Sequence, residues 1–254
     1  MNLKYSIVGS GNLATHLAKR MSECGYSIDF IHSRTKKAGL VISKASKSRF
    51  VDEIPVANAD AFLLFICTSD ASIQGLFKEY ESKGYYLIHC SGMLPLLKSR
   101  KTLTGVFYPV QTFSSKLNAD WEKVTICVES QNSKLEKLLL QLAKKLSGKT
   151  MLLSSKKRAH LHLAAVFANN FVNANYILAM DLLKSQNIPY SLLEGLILQT
   201  SKNATQLKPV EVQTGPAKRK DLQTIKAHQL LLKGKLKERK VYDLMTAYLL
   251  SSKF

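Results

Sequence analysis

The chain of 254 residues is short of acid: 18 Asp and Glu face 37 Lys and Arg, a formal charge of +19 at pH 7. It has four cysteines, Cys24, Cys67, Cys90 and Cys127, and no two of them form a CxxC pair. A zinc cluster or a disulfide framework is therefore not expected, and the three cysteines in apolar runs read as reduced core residues. No run of about 18 uninterrupted apolar residues occurs, so no membrane span is expected. Met1-Asn2-Leu3-Lys4 leads straight into an apolar segment that reads as a first strand, so no removed signal peptide is expected and a cytoplasmic location follows. The basic surplus is spread out. Residues 151–254 hold 16 basic and 6 acidic side chains, and the remaining +9 falls on residues 1–150. Short clusters stand at Lys156-Lys157-Arg158, Lys218-Arg219-Lys220 and Lys233 to Lys240, with no zinc-finger or RNP-like motif beside them. Nucleic acid is not the expected partner, because a field of this kind needs no more than small anionic ligands to steer.

Apolar periodicity divides the chain. Residues 5–9, 28–32, 61–67, 85–89, 105–108, 124–128 and 150–153 read as strands, and residues 12–24 and 134–146 as amphipathic helices. The run Ala61-Phe-Leu-Leu-Phe-Ile-Cys67 is apolar throughout, as in a strand buried on both faces of a parallel sheet. Strands alternating with helices predict a doubly wound, mostly parallel sheet. After Ser154 the pattern turns helical, over 158–186, 191–207, 221–234 and 238–251. The expected domains are 1–154, α/β, and 155–254, all helical.

The first strand ends in Gly9-Ser10-Gly11-Asn12-Leu13-Ala14, a G-x-G-x-x-A turn opening directly into a helix. Gly9 permits the tight turn, Gly11 lets a pyrophosphate approach the backbone, and Ala14 lets the helix pack on the sheet. The helix N-terminus supplies free N–H groups and a positive dipole end. The motif predicts a dinucleotide site, a Rossmann-like fold. NAD binders usually end the second strand with a carboxylate that holds the ribose hydroxyls. Here it ends His32-Ser33-Arg34-Thr35, then Lys36-Lys37. Ser33, Arg34 and Thr35 suit a 2′-phosphate, because a guanidinium grips phosphate oxygens with a planar fork. NADP is the expected cofactor; the alternative is that Arg34 and the lysines form a solvated loop. Thr68 and Ser69, after the third clear strand, and Ser91, after the next, are expected to edge the cofactor, with Asp70 capping a helix.

The order Gly-x-Gly-Asn-Leu-Ala, Ser-Arg-Thr, His89-Cys-Ser-Gly92, Tyr108-Pro-Val-Gln-Thr-Phe113, Leu161-His-Leu-Ala-Ala-Val-Phe-Ala-Asn-Asn-Phe171 and Gln213-Thr-Gly-Pro-Ala217 resembles the Rossmann-like proteins with a C-terminal DUF2520 domain. The N-terminal half also resembles the NADP-binding domains of coenzyme-F420-dependent NADP oxidoreductases and of pyrroline-5-carboxylate reductase. The resemblance implies a helical C-terminal domain of the 6-phosphogluconate-dehydrogenase type, often dimeric, with the substrate cleft beside it. Two departures matter. The wider β-hydroxyacid dehydrogenases carry Lys-x-x-Asn-Asn on a helix. Aligned on Asn169-Asn170, this chain has Val166 at the lysine position, which cannot transfer a proton. Tyr108 stands where the resemblance implies His.

A reductase must hold its substrate against the nicotinamide and supply a proton. His89, at a strand end, and His162 and Asn170, on the long helix, are the candidate catalytic residues. His162, Asn169, Asn170 and Asn173 keep roughly helical spacing. Each has a plain alternative: a satisfied structural histidine for His89, helix–helix hydrogen bonding for the others. Two readings of function stand. One is an NADP-dependent oxidoreductase acting on a small imine or carbonyl compound, dimeric through its helical domain. The other is a non-catalytic NADP-binding module.

Overall fold

The computed structural model describes residues 3–57 and 62–252. Met1, Asn2 and Ala61, the last an expected first strand residue, lie outside them.

One sheet of eight strands organises the first unit, in the order β3-β2-β1-β4-β5-β6-β7-β8. These are β1 (Lys4–Val8), β2 (Ile28–His32), β3 (Arg49–Val51), β4 (Phe62–Ile66), β5 (Tyr85–His89), β6 (Thr104–Val110), β7 (Thr125–Ser130) and β8 (Lys149–Leu152). Neighbours run parallel except β6 and β7. Central β4, Phe-Leu-Leu-Phe-Ile, is buried at every position, and its side chains alternate between two cores as strand geometry requires. Leu63 and Phe65 join Ile7, Leu17 and Met21 on one face; Phe62, Leu64 and Ile66 join Val8, Ile73 and Phe77 on the other. Four helices cover the sheet: α1 (Asn12–Glu23), α2 (Lys36–Ala45), α3 (Asp70–Tyr80) and α4 (Ser133–Leu146). In α4, Leu135, Leu139, Leu142 and Leu146 repeat every three or four residues and are all buried. Asn132 caps α4 by accepting from the Leu135 N–H at 3.0 Å.

The sheet is followed by α5 (Ser155–Ala165), a wider π turn (Val166–Phe171) and α6 (Val172–Lys184). The chain divides into units 1–170 and 171–254, inside this helical stretch and well after the expected boundary at 154. The reason is local: Arg158, on α5, is fully buried and ion-pairs Glu129 of β7. Ser155–Lys184 is also the one helical stretch among the described residues long and apolar enough to cross a membrane, by length and composition alone, where no span was expected. Its interior holds Arg158, Asn169 and Asn170, side chains that are expensive in hydrocarbon.

The second unit continues through α7 (Glu194–Gln206), α8 (Leu222–Leu231) and α9 (Leu236–Ser251). As expected, Asp221 caps α8, accepting from the Thr224 N–H at 3.0 Å. Among its described residues only Ala217, Ile225, Leu232 and Thr246 are buried.

Candidate functional site

A groove of about 760 Å³ lies at the carboxyl ends of β1, β2 and β4, where ligands of open α/β sheets bind. Gly9, Ser10, Gly11, Asn12, Leu13, Ser33, Arg34, Thr35, Thr68 and Ser69 line it. Gly9 has φ +123°, and a Cβ there would stand 2.3 Å from the carbonyl oxygen of Cys67. Only glycine fits the turn. At Gly11 a Cβ would meet nothing within 4 Å, so the bare backbone faces open space. No side chain caps α1 and no acid occupies its first turn, which leaves its N–H groups and positive dipole end to a ligand. The Ser33 hydroxyl donates to Ser10 Oγ at 2.7 Å and accepts from the Thr35 N–H at 3.1 Å, tying the glycine turn to the loop after β2. Arg34 is exposed on that loop, and Lys37 is exposed in the first turn of α2. Lys36 is engaged by Asp52 at 2.9 Å. An uncapped helix end, a glycine cradle and an exposed arginine fit a phosphorylated dinucleotide.

Ala14 is fully buried and packs α1 on the sheet, as its place in the motif implied, without itself lining the groove. One expected cofactor residue stands elsewhere. Ser91 is buried, and its hydroxyl donates to Asp70 Oδ2 at 2.8 Å and accepts from the Leu94 N–H at 2.9 Å. Asp70 accordingly does not cap α3: Ser69 holds the cap position, and the Asp70 carboxylate binds Ser91.

A second cleft of about 400 Å³, also within the first unit, opens between the end of β6 and the stretch from α5 into the π turn. Tyr108, Gln111, Thr112, Phe113, His162, Val166, Asn169 and Asn170 are among its lining residues. In it Tyr108 Oη and His162 Nδ1 are 3.0 Å apart. Gly92 lies against both: a Cβ there would come within 2.6 Å of His162 Nδ1 and 2.8 Å of Tyr108 Cζ. Burial raises the Tyr108 phenol above its usual range, with Cys127 adding to the shift. The groove and the cleft touch through Asn12, which lines the first and donates through Nδ2 to the carbonyl of Phe113, lining the second, at 2.9 Å.

The expected catalytic residues separate here. His162 and Asn170 reach the cleft. His89 does not: it is fully buried, Nε2 lies 3.1 Å from the Pro95 carbonyl, and Nδ1 accepts from the Ser91 N–H at 3.2 Å. Burial, reinforced by the nearby Arg158 cation, lowers its pKa to about 4, so it stays neutral at physiological pH. Its surroundings give it a structural role instead of the proton transfer expected from its strand-end position. Asn173 falls in the second unit. The residue missed was Tyr108, read as a departure and found bonded to His162. Its signal was a polar ring at a strand end, followed by Pro109.

Beneath the cleft, Glu129 accepts from the Ser155 N–H at 2.9 Å and from Arg158 Nη1, while Arg158 Nη2 donates to the Leu94 carbonyl. Ser155 Oγ accepts from the Leu96 N–H at 2.8 Å. These bonds fasten the first turn of α5 to β7 and to the loop after β5. His162 sits one turn further along, so they fix where its ring points.

Residues 124–249 match the domain of unknown function DUF2520. That match starts at β7, inside the sheet. Over 98% of both chains, the structure superposes on a provisionally named NADP oxidoreductase of Bacteroides fragilis, with a TM-score of 0.88 and 29% identity. A protein of Thermotoga maritima follows at 0.69 and 22%, covering 96% of each chain. An imine reductase of Myxococcus stipitatus, solved with NADP+, gives 0.66 and 14%, covering 97% of this chain and 92% of that one. The last two establish the shared fold, a Rossmann-like α/β half followed by helices. None of the curated proteins compared with the chain matches it.

Proposed function

We propose that this protein is an NADP-dependent oxidoreductase that moves a hydride to or from a small imine or carbonyl compound, with Tyr108 and His162 supplying the proton. The observation that carries the reading is the 3.0 Å Tyr108–His162 pair in a cleft joined by Asn12 to a phosphate-ready groove. The Bacteroides fragilis relative, named as an NADP oxidoreductase, supports it.

When bound, the nicotinamide supplies the hydride. The residues of the chain do the rest. Gly9, Gly11 and the first turn of α1 take the pyrophosphate, and Ser33, Arg34 and Thr35 the 2′-phosphate. With Nδ1 protonated, His162 donates to Tyr108 Oη and leaves the phenol O–H free to point into the cleft. That proton goes to the substrate nitrogen or oxygen as the hydride reaches carbon. The phenolate then takes the Nδ1 proton of His162 while Nε2 takes one from solvent, so the ring stays neutral throughout. Asn169, Asn170 and Gln111 offer amide groups to orient the substrate. Val166 leaves no lysine to do this work, which is why the pair carries it.

The test is calorimetric titration with NADPH and NADH, followed by a screen for NADPH oxidation over imines and ketones. Tight NADPH binding with turnover lowered about 10²–10⁴-fold in Tyr108→Phe, the usual range for losing general acid catalysis, supports the reading. Binding with no turnover across the screen would leave the non-catalytic module. The helical unit, with little core of its own, is read as the surface through which two copies pair.

A further inference from the structure

We infer that the substrate taken by the Tyr108–His162 cleft carries no carboxylate or phosphate: it is an uncharged ketone or imine, not a keto, imino or hydroxy acid. The inference rests on the reductase reading and narrows it. Among the described residues, those lining the cleft include no Lys, Arg, Asp or Glu, in a chain in which 37 of 254 residues are Lys or Arg. Its polar groups are neutral amides and a hydroxyl, from Gln111, Thr112, Asn169 and Asn170, and its two ionisable rings engage one another. Arg158, the buried cation of α5, is occupied by Glu129 and the Leu94 carbonyl and is absent from the lining. A carboxylate entering such a cleft would shed water and find no cation to replace it, which disfavours the charged compound against its neutral counterpart. The contrast with the neighbouring groove is internal to the molecule: there Arg34 and an uncapped helix end wait for anionic groups.

The cleft has a built-in reporter. Trp121, the only tryptophan of the chain, is buried with its ring 5.5 Å from that of Phe113, which lines the cleft. Its emission can be followed in the full-length protein saturated with NADP+, which prevents turnover of the ketone or imine. Two matched pairs are titrated: a methyl-substituted pyrroline against the pyrroline bearing a carboxylate on the same carbon, and cyclopentanone against a cyclopentanone carboxylate. The expected result is saturable binding of the neutral member of each pair at least about tenfold tighter than its acid. In Val166→Arg, which adds a cation to the lining, the acids should gain at least about tenfold. Equal or tighter binding of the acids by the unaltered protein would overturn the inference. So would the absence of any saturable response to either neutral compound. Neutral-selective binding without NADPH oxidation would uphold the inference about the cleft and overturn the reductase reading, so the two fail separately.

Discussion

Arg34 and His89 show how differently two ionisable residues act in the same α/β unit. Arg34 stands exposed at the rim of the groove, and its neighbour Lys36 is taken by Asp52. A 2′-phosphate is the one part of the cofactor that NADH lacks, so Arg34→Ala should weaken NADPH binding by about 1.5–3 kcal/mol, the range for a charge-assisted hydrogen bond, and leave NADH nearly unchanged. Calorimetry with both nucleotides checks this, and an equal loss for both would remove the phosphate-clamp role. His89 acts on stability. Its pKa falls from 6.5 to about 4 on folding because burial, then Arg158, disfavours the cation. Above pH 6.5 it is neutral in both states and costs nothing. Between pH 6.5 and 4 the unfolded chain binds a proton that the folded chain refuses, so stability falls as pH falls. At about 1.4 kcal/mol per pKa unit, the loss is on the order of 3 kcal/mol by pH 4, and it levels off below. Urea unfolding of the protein and of His89→Gln from pH 7 to pH 4.5 should show the steeper decline in the unaltered chain. Parallel curves would mean that other groups set the acid limb.

Elements were legible where burial is two-sided or strictly periodic. The continuous apolar run of β4, the leucine spacing of α4 and the glycine turn into α1 announced themselves, and with them the groove. The three-residue edge strand β3 did not, since Arg-Phe-Val is too short to show alternation and owes its state to pairing with β2. The π turn was equally hidden. Nothing in the composition of residues 166–171 marks it, although the helical spacing of His162, Asn169 and Asn170 did anticipate that they share a face, and all three line the cleft. Helix α5 was visible as a helix but not as part of the first unit, because that membership depends on a buried pair between residues 29 apart. The pair is testable. Glu129→Gln leaves the Arg158 cation, with no exposed surface, uncompensated in the core, and should cost about 3–5 kcal/mol. Glu129→Gln combined with Arg158→Met removes the stranded charge and should cost clearly less than the two single changes summed. Additive losses in urea unfolding would mean that the two side chains stabilise α5 independently.

At the scale of the whole molecule, the second unit poses the plainest physical problem. Four buried positions among its described residues do not supply the apolar burial that helices of this length need, since helical stability in proteins comes chiefly from packing an apolar face. Instead Leu196 and Leu198 on α7, Leu230 and Leu231 on α8, and Leu244 and Tyr248 on α9 are each more than 60% exposed. The unit also holds a largely apolar cavity of about 390 Å³ whose lining includes Ala217, Leu232 and Met245. Apolar side chains this exposed fit an interface, and the pairing proposed above would cover them with a second copy of the chain, because in a closed two-fold assembly one patch covers its own counterpart. The +19 charge opposes pairing at low salt and is screened over roughly 8 Å at physiological ionic strength. Sedimentation should therefore find twice the mass of one chain near 0.15 M salt, with more monomer as salt is lowered. Leu198→Asp with Leu244→Asp places charges on the exposed faces of α7 and α9 and should shift the protein to monomer, with a lower unfolding temperature that depends less on protein concentration. A monomer in the unaltered protein at micromolar concentration would refute pairing through these helices.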